Sequence, residues 1–276
     1  MREMYKRYEI VAGKTRIIRK TETSRIKTEK GKRKPKTNPT PEAVAKINKI
    51  NQERDLTVKL NTNFKAGDTW LTLSYPEKLP IEECMKAVNR FKRNIRAAAK
   101  RKGIPFRLIE STGIGQRSGK PHHHIVLNKE ISRDMIIKYW PEEQIYMNSL
   151  WKSGNYQRIA KYMLKNAYQS KGERGKHTKA YRCSARIETP DPRVSDLKRP
   201  VSYDPEDLKA HDGYAIDRDS IRVYDHPITG VPCIEYIEVS LTEEPKIKYA
   251  RGRKVKPERI YKEYQEEQLF IDQLEF

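Results

Sequence analysis

The run Lys120-Pro121-His122-His123-His124-Ile125-Val126-Leu127 limits the fold more than any other stretch of the chain. A loop of Gly, Ser and basic residues precedes it and apolar, β-branched residues close it, which is the composition of a strand. Successive strand side chains point to opposite faces, so His122 and His124 share a face, about 6–7 Å apart along the backbone, and His123 opposes them. Two imidazoles so placed can converge on one divalent ion; otherwise they form a surface cluster satisfied by hydrogen bonds. Such a strand needs partners. Thr69-Trp70-Leu71-Thr72-Leu73-Ser74-Tyr75 is one candidate, ended by Pro76, and Phe106-Arg107-Leu108-Ile109-Glu110 is another. The second is joined to the histidines by the loop Ser111 to Lys120, so the two are expected as a hairpin. Glu110 is then expected beside His122 and His124 as a third ligand; the alternative is a core-edge carboxylate paired with a lysine.

Helical spacing surrounds these strands. Ile81, Cys84, Met85, Val88, Phe91 and Ile95 form an apolar stripe from Ile81 to about Lys102, and Gly103 supplies the stop. The Arg90, Lys92, Arg93 and Arg96 of its outer side are read as an ordinary solvated face. Thr40-Pro41 starts an earlier helix, and Ser132 caps a later one through Met135, Ile136, Tyr139 and Trp140. Gln144 to Trp151 has strand character. Tyr156 to Ala167 is helical, with Ile159, Ala160, Met163 and Ala167 on a buried side. Arg158, Tyr162 and Lys165 fall at i−4, i and i+3, which sets a phenol among cations on another side. Tyr156 and Tyr168 lie six residues away and face elsewhere. Tyr181 to Ile187 is expected as a last strand, and Ile221–Tyr224 with Ile234–Val239 as an accessory hairpin. The glycines of Gly113 to Lys120 do not make a phosphate loop, because their spacing is wrong and Pro121 stands where a magnesium-binding hydroxyl belongs.

Charge indicates the partner. Lys and Arg total 58 against 37 Asp and Glu, a net charge of +21, and such an excess suits a polyanion, most simply nucleic acid. The three cysteines form no C-x-x-C pair, which suggests neither a zinc knuckle nor a disulfide framework and fits a reducing cytoplasm. No apolar run approaches the length of a membrane span, so no membrane partner is expected. The expected organisation is a basic flexible arm over 1–40, a folded catalytic domain over 41–190, and an accessory region with an acidic tail over 191–276.

Three segments, in order, resemble the HUH endonucleases of the rolling-circle replication initiator type found in small phages and plasmids. Thr69 to Pro76 is similar to that family's first-strand motif. Glu110 followed by Gly119-Lys120-Pro121-His122-His123-His124 is similar to its metal motif, with His123 where a bulky apolar residue is usual. Ile159-Ala160-Lys161-Tyr162-Met163-Leu164-Lys165 is similar to its tyrosine motif, Y-x-x-K on a helix. The resemblance covers about residues 40 to 190. It implies an α+β fold of ferredoxin or RRM-like type, with a central five-stranded antiparallel sheet, helices on one face, and the tyrosine helix lying across the metal face.

The resemblance also implies a chemistry: Mg²⁺ or Mn²⁺ held by Glu110, His122 and His124, and attack by Tyr162 on a DNA phosphodiester. A 5′-phosphotyrosyl enzyme and a free 3′-hydroxyl primer result. Lys165 would stabilise the phosphate or the leaving oxygen, and Arg117, Lys120, Arg158 and Lys161 would grip the strand. A free phenol titrates near 10, so ionising it at pH 7 costs about 4 kcal/mol, which neighbouring cations must offset. Covalent capture conserves the phosphodiester energy for resealing, so no ATP is needed. Expected partners are single-stranded or supercoiled origin DNA and a host polymerase and helicase, in the cytoplasm of a bacterial host cell. The rivals are a relaxase or single-strand transposase of the same chemistry, and a non-catalytic basic DNA-binding protein. Relaxases usually place a third histidine ahead of the pair, and no histidine precedes His122.

Overall fold

The computed structural model describes residues 4–23, 41–115, 118–141, 144–169 and 179–242. The polybasic run 27–36, Arg117 and the acidic tail lie outside the described residues. Two compact units emerge: residues 63–188 make one, and the segments before and after it, 4–62 and 189–242 among described residues, make the other. The fold is α+β, with four helices and two five-stranded antiparallel sheets. The division departs from the expected boundaries at 40 and 190.

In the outer unit, β1 (Met4–Ala12) and β2 (Thr15–Thr23) form a hairpin, followed by helix α1 (Pro41–Asn63). The chain returns to this unit with β8 (Arg193–Leu197), β9 (Tyr214–Asp225) and β10 (Pro232–Ser240), giving the order β8-β1-β2-β10-β9. The expected accessory hairpin is therefore present, but as two strands of a larger sheet. The expectation of a flexible arm is corrected for residues 4–23. Their charges looked solvated, yet Arg16 is buried and ion-paired to Glu9, with Glu238 of β10 at 3.9 Å. Val58 of α1 packs with Ala12, Ile17 and Ile237 on one face of the sheet. The segment after β8 brings Val201, Tyr203 and Leu208 against Ile18, Ile234 and Tyr236 on the other. Gly13, with φ of 55°, turns the hairpin where an added Cβ would fall 2.1 Å from the Asn61 carbonyl oxygen, so no other residue fits.

In the inner unit the strands are β3 (Thr69–Ser74), β4 (Leu108–Ile114), β5 (Pro121–Leu127), β6 (Gln144–Ser149) and the short β7 (Arg182–Cys183), in the order β6-β3-β5-β4-β7. The histidine strand β5 is thus central. Helix α2 (Ile81–Arg101) lays Cys84, Val88, Phe91 and Ile95 on Leu71, Leu73, Ile125 and Leu127. Helix α3 (Arg133–Tyr139) adds Met135 and Ile136 to the same core, and Ser132 Oγ accepts the Met135 N–H as its cap. Helix α4 (Gln157–Gln169) lies on the other face, against β4. Helices on one face with the tyrosine helix across the other is the arrangement expected. Two strand limits differ. Ser111 to Ile114 extend β4 instead of forming loop, and the last strand shrinks to two residues.

Candidate active site

The register of the central strands fixes which side chains meet. His124 pairs with Thr72 on β3 and Ser111 on β4; His122 pairs with Ser74 and Gly113. Directly paired residues share a face, so these six line the side that α4 covers. Leu73, His123 and Thr112 are cross-strand partners on the side that α2 covers, as are Leu71, Ile125 and Glu110.

Glu110 therefore does not join His122 and His124, and its assignment as a metal ligand is corrected. Its carboxylate is 2 % exposed beneath α2, ion-paired to Lys92, with Arg182 Nη1 at 3.8 Å. The alternative weighed for it, a core-edge carboxylate held by a lysine, is what the fold contains. Among the described residues no group of three or more His, Cys, Asp or Glu side chains converges as a metal cage.

The two imidazoles themselves are well prepared. Their rings lie 4.7 Å apart. Lys120 O can only accept, so at 3.4 Å His122 Nδ1 carries the proton and Nε2 keeps its lone pair. For His124, the Asn166 Nδ2 amide donates toward Nε2 at 3.4 Å, so the ring proton sits on Nδ1 and is donated to Thr72 Oγ1 at 3.1 Å. Burial lowers the pKa of His122 and drives that of His124 well down, with neighbouring His122 adding to the latter. Both rings are thus neutral at pH 7, the form that binds a metal. Two neutral Nε2 donors fit a divalent ion that accepts nitrogen, with the remaining positions left to phosphate oxygens and water.

His123, on the other face, does different work. Tyr75 donates its hydroxyl proton to Cys84 O at 3.0 Å, so its oxygen accepts from His123 Nε2–H at 2.9 Å. Nδ1 then accepts from Thr112 Oγ1 at 2.9 Å. Complete burial pushes the His123 pKa down to about 3.

Helix α4 brings Tyr162 onto the histidine face. Its ring centroid is 4.8 Å from that of His124 and 5.9 Å, edge-on, from that of buried Trp70. One turn on, Asn166 donates to the Tyr162 carbonyl oxygen at 3.1 Å as well as toward His124. This close approach depends on Gly113: a Cβ there would lie 2.7 Å from Asn166 Cβ and 3.0 Å from His122 Nε2. Arg158 is half-buried one turn before Tyr162, whereas Lys161 and Lys165 are exposed. Lys120 Nζ donates to Pro76 O at 2.5 Å, and Arg117 is outside the described residues. Tyr156 is sealed in the core, its hydroxyl donating to Trp151 O at 3.3 Å, which leaves Tyr162 as the phenol beside the histidines. Asn166, Gly113 and Thr72 were not singled out from sequence. The i+4 spacing of Asn166 from Tyr162 was the available signal for the first.

A buried pair of neutral imidazoles under a tyrosine helix narrows the comparison with known proteins.

Residues 68–167 match the family model of the Replication-associated protein ORF2.

The matched stretch contains β3, the histidine strand and nearly all of α4, so it spans each motif on which the resemblance rested. It is consistent with the rolling-circle initiator resemblance and supports a role in DNA replication, with DNA as partner. No curated protein and no solved structure gives a significant match. No described helix is long and apolar enough to cross a membrane.

Proposed function

We propose that the chain is a rolling-circle replication initiator that nicks and rejoins one strand of origin DNA through Tyr162. The contact of the Tyr162 ring with His124, on the one sheet face that carries paired imidazoles, is the observation that supports this reading most. Tyr162 Oη attacks the scissile phosphorus and loses its proton to solvent. The Oη–P bond forms and the P–O3′ bond breaks. The departing oxygen takes up a proton, leaving a 5′-phosphotyrosine and a 3′-hydroxyl from which a host polymerase can extend. The reverse attack by a 3′-hydroxyl reseals the strand without ATP. Trp70 walls the phenol and keeps water from it. Asn166 ties the nucleophile's helix to the histidine strand. Arg158 and Lys161 flank the phenol on α4, and Lys120 at the strand's entry, Arg117 and Lys165 complete the cationic surroundings for the strand and its leaving oxygen.

A divalent ion held by His122 and His124 would polarise the phosphate and lower the barrier to attack. Two imidazoles without a described carboxylate favour Mn²⁺ over Mg²⁺, which prefers an all-oxygen shell.

The test is a single-stranded suicide oligonucleotide carrying the origin, incubated with protein and Mn²⁺ and followed by peptide mapping. The wild type should yield an adduct at Tyr162, and Tyr162→Phe should bind the oligonucleotide without forming one. An adduct persisting in that variant would refute the assignment.

A further inference from the structure

The face of the inner sheet that carries no tyrosine holds an unexplained array of arginines. Helix α2 buries one side, and its outer side exposes Arg90, Arg93 and Arg96. These are mid-helix residues, so the macrodipole that rewards Lys100 and Arg101 in the last turn does not account for them. In sequence, each has another cation three or four positions away and no carboxylate at those positions. Such neighbours repel, and an isolated helix gains nothing from them.

The row does not end with the helix. The Arg96 guanidinium lies over the Phe106 ring, 5.4 Å from its centroid. Phe106 opens a groove of about 490 Å³ between residues 105–107 and 185–188, where the edge strand β7 has ended and the two segments part. Exposed Arg107 and Arg186 line this groove, along with Glu188.

We infer that this back surface, from the outer side of α2 to the Arg107–Arg186 groove, is a second nucleic-acid site that holds duplex DNA by its phosphates. A rigid helix presents Arg90, Arg93 and Arg96 along about 9 Å of its axis, a length over which a duplex strand offers several phosphates. The occupant is a duplex and not a single strand, because single-strand sites stack bases on open aromatic rings. Here the one aromatic ring, Phe106, is covered by Arg96. The surface is separate from the tyrosine face, since α2 and α4 pack on opposite sides of the sheet. It extends the function proposed above, by retaining the uncut duplex while the other face works on a single strand. Its own basis is charge and exposure, and it does not require that Tyr162 react.

The test uses full-length protein with Arg93→Gln, Arg107→Gln and Arg186→Gln combined, and a blunt duplex lacking the origin. With an unchanged melting temperature, the plot of log affinity against log salt should become shallower by about 2.7, the share of three phosphate contacts. Binding of a short single-stranded oligonucleotide and its Tyr162 adduct should stay as in the wild type. An unchanged slope overturns the inference, and so does an equal loss of single-strand binding, which would make the surface part of the strand path. Should the triple variant fail to fold, phenylglyoxal labelling of the wild type decides. Duplex should protect Arg93, Arg107 and Arg186, and equal labelling with and without duplex overturns the site. If the slope falls as expected while no adduct forms in any protein, the nicking proposal fails and this one stands.

Discussion

A histidine sealed beneath α2 must stay neutral for the protein to stay folded. His123 has its pKa lowered to about 3, mainly by burial, whereas the unfolded chain protonates it near the ordinary value of 6.5. Between these limits the unfolded state binds more protons, so stability falls as pH drops below about 6.5. His123→Leu should flatten that fall, seen by urea unfolding at pH 7 and pH 5; an unaltered pH dependence would argue against this. Glu110 invites the complementary experiment. Breaking a buried ion pair from one side costs about 3–5 kcal/mol, and Glu110→Gln should sit toward the lower end because Lys92 keeps some solvent contact. Mn²⁺ affinity measured by titration calorimetry should not change; a tenfold loss would return Glu110 to the metal site. Reading the sequence residue by residue set His122 and His124 on one face because strand alternation is independent of context. It failed for Glu110 because its face depends on register. The β4–β5 turn begins after Ile114, Glu110 lies opposite Ile125, and a one-residue difference in pairing exchanges the faces.

Between elements, the seating of α4 on β4 depends on the absence of a side chain at Gly113. Gly113→Ala would force Asn166 and the backbone behind it away from His122, and overpacking of this kind costs about 1–3 kcal/mol. Adduct formation should fall by more than the lost stability accounts for, because the same displacement separates Tyr162 from His124; full activity in a folded Gly113→Ala protein would show that α4 can be lifted without consequence. Helices α2, α3 and α4 were legible from apolar periodicity, since each buries one stripe. The β1–β2 hairpin was not. Its partners β8 and β10 lie far along the chain, and Glu9, Arg16 and Glu238 use charge inside a sheet where a pattern of apolar residues would have announced it.

Over the whole molecule, positive charge is unevenly shared. Residues 63–188 hold 26 Lys and Arg against 11 Asp and Glu, whereas the described residues of the outer unit hold 16 of each sign. Attraction to a polyanion thus belongs to the inner unit and the basic run outside both sheets. Lys46→Gln, Lys198→Gln and Lys209→Gln together remove three exposed charges from the outer unit, and should shift the salt slope of duplex binding by less than about 1. A shift matching that of three inner-unit arginines would mean that both units touch DNA.

The inner unit is an insertion, and its two ends are stitched together: Asn63 donates from Nδ2 to Glu188 O at 2.8 Å and accepts the Glu188 N–H at 2.8 Å. During synthesis the ribosome therefore delivers a segment whose termini already meet, before β8, β9 and β10 exist. The nicking face can mature on the nascent chain while β1 and β2 wait, half-paired, for strands made about 170 residues later, and a chaperone guarding that open ribbon would have most to do in this interval.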